Sequence, residues 1–187
     1  MAAAVLLGTS TAAAAIIDTV DVGTGLYSSL VQIDFANGNG YAFNVHWQDA
    51  STTGWDLLLT IAADLDTVEL DYSTSEFGVF LQGIEVMGDV DWGVGAGWPE
   101  IEDYWHYWTA EPGEDDWTFA MVGADLRTVS DGSLDGWVFL SPDAPQPLPA
   151  PGSLLLLAMA GACRRRRRGR SRRESLSHMA GSGYPVG

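Results

Sequence analysis

"LVQIDFANGNGYAFNVHW", residues 30–47, decides the fold. Val31, Ile33 and Phe35 alternate before Asn37-Gly38-Asn39-Gly40, and Phe43, Val45 and Trp47 alternate after it. A period of two interrupted by asparagine and glycine predicts two strands joined by a tight turn, because these residues accept the left-handed backbone that such turns need. Downstream, Thr52 or Thr53 can cap a helix over about 54–64, in which Trp55, Leu58, Leu59 and Ala62 recur at helical spacing. "TVELDY" (67–72) places Val68, Leu70 and Tyr72 on one face of a strand, and "FGVFLQGIEV" (77–86) is a further strand with a glycine-marked turn on either side. A loop rich in glycine and acid, 87–102, leads to strands over 104–109, 117–121 and 136–140. One helix among six or seven strands predicts an α+β domain, a mostly antiparallel sheet with the helix packed on one face; the alternative is an all-β sandwich with an incidental helix.

Charge is sharply divided along the 187 residues. There is no lysine, eight of the nine arginines lie beyond residue 163, and residues 16–150 set one arginine, Arg127, against 24 Asp and Glu residues, a net of −23. A surface of that sign repels phosphate backbones, so nucleic-acid binding by this segment is excluded as a function class. The acidity also keeps an exported protein soluble. The single cysteine, Cys163, leaves the acidic segment without an internal disulfide.

Both ends carry targeting patterns. "MAAAVLLGTSTAAAAII" (1–17) has the apolar core and small residues of a secretory signal, with Ala13 and Ala15 in an A-x-A cleavage site and Ile16 as the first mature residue, although no basic residue precedes the apolar run. At the other end Pro149, Ala150 and Pro151 precede "GSLLLLAMAGA" (152–162) and then "CRRRRR" (163–168). The twelve uncharged residues 152–163 reach only ~18 Å as a helix, short of the bilayer core. The arginines Arg164, Arg165, Arg166, Arg167 and Arg168 fit the positive-inside rule, which puts the acidic body on the far side of the membrane.

This order of proline motif, apolar run and arginine cluster resembles the PEP-CTERM sorting signal of Gram-negative bacteria, with Ala150 in place of the family's glutamate and a 19-residue extension beyond the usual end. The resemblance implies a protein exported across the inner membrane, anchored there transiently by its C-terminal segment, cut near Pro149, Ala150 and Pro151 by an exosortase-type peptidase, and left at the cell surface or outside the cell, often alongside exopolysaccharide. The order of "TTGWDLL", "EFGVFLQGIEV", "DYWHYW" and "DGSLDGWVF" over roughly residues 30–140 is similar to exported proteins of planctomycete type and, more distantly, to the C-terminal domain of transcobalamins and its bacterial relatives, which implies a β-grasp-like arrangement. No catalytic residue comes with either resemblance. The chain is thus divided into a signal peptide (1–15), one acidic domain (16–140), a proline-rich spacer with the sorting motif (141–151), the apolar and arginine segment (152–168) and a polar tail (169–187).

The candidate binding residues cluster around "DYWHYW". A strand period sends Tyr104, His106 and Trp108 to one face and Trp105 and Tyr107 to the other. One face fills the core; the second, with Trp92 and Trp98 from the preceding loop, predicts an aromatic platform with at least one large exposed ring, able to stack on a glycan or a cobamide-like ligand. Aromatic packing around a small core is the competing explanation. The sequence identifies no cofactor. His46 and His106 lack the spacing of a zinc site, and the acids of "GDVDWG" and "EPGEDDW", Asp89 and Asp91 among them, offer oxygens to Ca²⁺ without following a twelve-residue calcium loop. Neither a cysteine nucleophile nor a G-x-S-x-G turn is present. Three functions follow: a non-catalytic binding module, a passive component of the envelope or matrix, and a secreted hydrolase.

Overall fold

The computed structural model describes residues 15–114 and 116–148. Ala13, the sorting motif Pro149, Ala150 and Pro151, and the arginines from Arg164 to Arg168 lie outside the described residues. The described part is mostly β, with two sheets and one helix.

The hairpin of residues 30–47 forms as its pattern predicts: β2 (Tyr27–Asp34) pairs antiparallel with β3 (Asn39–Trp47), with Val31 opposite Phe43 and Leu30 opposite Asn44. Gly38, at φ 89°, supplies the left-handed residue that closes the turn, and its N–H donates to the carbonyl of Phe35 at 3.0 Å. The helix α1 (Gly54–Asp64) begins at Thr53, whose hydroxyl accepts from the Asp56 N–H while the Asp56 carboxylate accepts from the Thr53 N–H, a reciprocal cap for two otherwise unpaired donors. Its buried face presents Trp55, Leu57, Leu58 and Ile61.

The main sheet has six strands in the order β1-β3-β2-β9-β7-β8. Its outer members are β1 (Ala15–Gly23), parallel to β3, and β8 (Thr118–Phe119), a two-residue strand antiparallel to β7 (Trp105–Ala110). At the centre β9 (Leu134–Phe139) runs parallel to β2 and antiparallel to β7. The second sheet is the antiparallel series β4 (Val68–Ser75), β5 (Gly78–Val86) and β6 (Asp89–Trp92).

Among the described residues nine strands replace the six or seven expected. β1 was hidden because it follows directly on the apolar run read as a signal, and β6 because its four residues sit among glycines and acids. The helix is also not the sole cover of the main sheet, since Val68, Leu81, Ile84 and Val86 of the second sheet join Val31, Ile33, Phe43, Val45 and the α1 residues in one core. The stretch expected to be a spacer is docked through Gln146. The Gln146 N–H donates to Asp34 at 2.7 Å, Gln32 Nε2 donates to the Gln146 carbonyl at 2.9 Å, and Pro145 is buried against Gly136, where a Cβ would lie 2.4 Å from the proline ring. Burial on this outer face raises the Asp34 carboxyl above the usual range, against the pull of the Gln146 N–H and Gln32.

Asp89 and Asp91, considered as calcium ligands, instead fasten the second sheet to the hairpin turn. Asp89 accepts from Asn37 Nδ2 (2.8 Å), Asn39 Nδ2 (2.8 Å) and the Tyr41 hydroxyl (2.7 Å), and Asp91 accepts from the Ala36 N–H at 2.7 Å. The Tyr41 hydrogen bond leads the interactions that lower the Asp89 pKa, so its contribution is present above the ordinary carboxylate range and lost as pH falls through the lowered folded value. Asp89→Ala is expected to lower stability at pH 7 by about 1–2 kcal/mol, read from urea unfolding, with the deficit shrinking toward pH 3.

Candidate functional site

The structure distributes the seven aromatic candidates among four places. Trp105 and Tyr107 point into the core at 6% and 7% exposure, and Tyr104, His106 and Trp108 occupy the opposite face of β7. There Tyr104 lies 4.2 Å from the His106 ring, His106 Nε2 is 2.9 Å from the Glu102 carboxylate, and Phe119 of β8 stands edge-on to both His106 and Trp108. No ring of β7 is fully exposed, because the second sheet covers one face and residues such as Glu102 and Phe119 shield the other. Trp92 belongs to the second sheet, where its Nε1 donates to Asp71 at 2.7 Å, and Trp98 stands exposed on the loop between β6 and β7. The expected platform on β7 is therefore absent, and its rings serve two separate clusters.

One of those clusters opens into a cleft. Trp105 and Tyr107 of β7, Trp137 of β9 and Trp55 of α1 wall a space of about 140 Å³, closed below by Leu81. Tyr107 and Trp137 stack with centroids 4.6 Å apart at 24°, a pairing set by their register as direct neighbours across β7 and β9. At the mouth, Phe80, Val122 and Asp125 complete the lining, and Phe80 and Val122 are exposed. Gly78 and Gly123 make room for Asp125, since a Cβ on either would approach its carboxylate oxygens to 2.8 and 2.5 Å.

The walls hold two unspent donors. The indole Nε1–H groups of Trp105 and Trp137 have no acceptor among the described residues, although each side chain is more than nine-tenths buried. An unpaired buried donor costs about 1–3 kcal/mol, and both belong to rings that line the cleft.

Behind Tyr107 lies the network that fixes its ring. The Tyr107 hydroxyl donates to Asp135 of β9 in a short hydrogen bond; Arg127 Nη1 donates to the other Asp135 oxygen at 3.2 Å, and Arg127 Nη2 lies 3.4 Å from Glu111. Asp135 is fully buried, and burial pushes its carboxyl up to about 6 against the opposing pull of Arg127. Burial, then the Asp135 charge, pushes the Tyr107 phenol well above its usual range. The segment carrying Arg127 is held by α1 itself, since the Gly54 and Trp55 N–H groups donate to the Arg127 and Ala124 carbonyls, each at 3.0 Å.

Sequence reasoning found Trp105 and Tyr107 and missed Trp55, Trp137, Asp125, Arg127 and Asp135. Two signals were available: one arginine among 24 acids implies a particular carboxylate partner, and Asp135 occupies an inward position of a strand beside Trp137. Among the described residues no three His, Cys, Asp or Glu side chains form a metal-binding group, and no helix is long and apolar enough to cross a membrane. No family model matches the chain, and no curated protein matches it.

Proposed function

We propose that the protein is an exported, surface-sorted binding module without catalytic activity, which holds a glycan or cobamide-like ligand at the aromatic cleft. The observation that carries this reading is the cleft itself, a space of about 140 Å³ walled by the rings of Trp55, Trp105, Tyr107 and Trp137. Ligand sites are mostly apolar concavities with a few converging polar groups, and this cleft has that composition. A hydrolase reading would need two carboxylates facing one space; Asp125 alone of the acids lines this one.

The chain path supports a β-grasp-like core. The β2–β3 hairpin is followed by α1 across one face, and the later strand β9 enters beside β2 and parallel to it, with β7 antiparallel on its far side. The second sheet is then an insertion between α1 and β7. Export and sorting rest on the terminal patterns: a signal ending at Ala15, and Pro149, Ala150 and Pro151 ahead of the apolar run and Arg164 to Arg168. Cleavage after Ala15 would leave all but the first residue of β1 in the mature chain.

The test has two parts. Exported material from an exosortase-bearing host should begin at Ile16 or within a few residues, and replacing Arg164 to Arg168 with serine should send uncut chain past the membrane, because a five-arginine run is costly to translocate. Retention of Met1 or unchanged processing of the serine variant would count against sorting. Equilibrium dialysis of the purified full-length chain against neutral oligosaccharides, uronate oligosaccharides and cobinamide should give one bound ligand per chain; retention of none of them defeats the binding reading, and release of shortened sugars would replace it with the hydrolase.

A further inference from the structure

Resting on the reading of the cleft as a glycan site, we infer that it selects a cationic sugar, a ring bearing a free ammonium group, over the neutral and uronate counterparts. Size sets the first limit. The space of about 140 Å³ is close to the roughly 150 Å³ cavity known to accommodate a benzene ring. One six-membered ring enters it, and a corrin macrocycle does not.

The lining sets the second. Apart from Asp125 its side chains are aromatic, aliphatic or absent, and the Tyr107 hydroxyl is engaged by Asp135. A polar group carried to the back of the cleft loses water without finding a partner. The ring is therefore held by its C–H face, with its polar groups left at the mouth. There the exposed Phe80 and Val122 continue the apolar surface outward.

Charge sets the third. Asp125 is the only acid of the lining, and its carboxylate has neither a hydrogen bond nor an ion pair among the described residues. Behind the wall Arg127 is divided between Asp135 and Glu111, one cation against two carboxylates. No other Lys or Arg occurs in residues 16–150. Charges act on one another over ~10 Å at 0.1 M salt, so an ammonium at the mouth is attracted without having to touch a particular oxygen. A uronate carboxylate at the same place is repelled. Acetylating the amine removes the attraction and keeps the ring, whereas a bare cation keeps the attraction and leaves the walls uncovered.

Isothermal titration of the full-length chain at pH 6.5 with the glucosamine disaccharide, its N-acetylated counterpart, digalacturonate and choline tests the inference. The free amine is protonated there, below the ~7.7–8.0 at which an α-amino group titrates. At low salt the amino sugar should bind roughly threefold to tenfold more tightly than the acetylated one, and digalacturonate more weakly than either. Added salt should narrow both gaps. Raising the pH to 9 should abolish the amino-sugar advantage while the acetylated sugar keeps its affinity. Those two series use the unaltered chain, so they stand even if a variant folds poorly. Asp125→Asn should remove most of the advantage at pH 6.5. Equal affinity for the three sugars, tighter binding of digalacturonate, an advantage that survives at pH 9 or in Asp125→Asn, or choline bound more tightly than the amino sugar would each overturn this inference and leave the binding module standing. No binding of any probe would remove the inference together with the glycan reading on which it rests.

Discussion

Arg127→Ala is expected to lower the stability of the protein by about 3–5 kcal/mol at pH 7.5, the largest effect of any single surface-reaching side chain. The guanidinium is mostly buried, its partner Asp135 is completely so, and no other Lys or Arg occurs in residues 16–150 to replace it. Removing one member of a buried pair strands the other, and the stranded group here is a carboxylate. The pH dependence follows from the shift of Asp135. Its folded pKa, about 6, lies above the ordinary carboxylate value of 3.8, so the folded chain binds the proton more tightly. The stability this supplies is fully present below about 3.8 and is lost as pH rises through about 6. Removing Arg127 raises the folded value further and steepens that loss, so the deficit of the variant should be large at pH 7.5 and small at pH 5, where the carboxyl is mostly protonated. Urea unfolding at the two pH values reads it; an equal deficit at both would show that Arg127 contributes packing alone. Acids with lowered values, Asp21, Asp49 and Asp89, act in the opposite sense in both proteins and cancel in the comparison.

Gly54→Ala should be nearly as damaging, although alanine is the better helix former. A Cβ at residue 54 would lie 2.2 Å from the Tyr107 hydroxyl oxygen and 2.6 Å from Asp135 Oδ1, inside contact distance of two groups that are themselves bonded to each other. Either α1 withdraws, loosening the Gly54 and Trp55 contacts to residues 127 and 124, or Tyr107 swings and the Asp135 bond breaks. Overpacking a filled core costs about 1–3 kcal/mol, and the broken bond places this case at about 3 kcal/mol or above. The same movement displaces the Tyr107 wall of the cleft, so ligand affinity should fall together with the unfolding midpoint. Asp56→Ala, which removes half of the cap in the same first turn, is the control: it should cost about 1 kcal/mol and leave affinity intact.

Much of the framework is legible in local pattern. The Asn37-Gly38 turn, the Thr53 cap with its Asp56 partner and the alternation of Phe43, Val45 and Trp47 are each settled by residues within a few positions of one another. What is not legible depends on neighbours distant in sequence. Residues 104–108 carry aromatic rings on both faces, so their alternation does not say which face fills the core; Trp105 and Tyr107 are claimed by packing against α1, β5 and β9, and the space left among those elements is a cleft. Trp55 reads as one of the periodic helix residues and Trp137 falls in the strand expected over 136–140; the part of Trp137 in the cleft comes from β7 and β9 running side by side and bringing residue 137 beside residue 107. Asp89 and Asp91 read as loop acids offering oxygens to Ca²⁺, and only the approach of β6 to the hairpin turn gives them Asn37, Asn39, Tyr41 and Ala36 as donors.

The central claim is that a ligand is held in the cleft walled by Trp55, Trp105, Tyr107 and Trp137, and NMR of the indole N–H groups reads its tryptophans individually. The protein has eight tryptophans, so a nitrogen–proton correlation spectrum should show eight indole signals, with those of Trp105 and Trp137 assigned from their phenylalanine variants. Saturation with the sugar retained in dialysis should move these two signals, because the rings that carry them line the cleft, and leave Trp92 and Trp98 unmoved. Shifts confined to Trp92 or Trp98, or no change at Trp105 and Trp137 while the sugar is bound, would contradict the account.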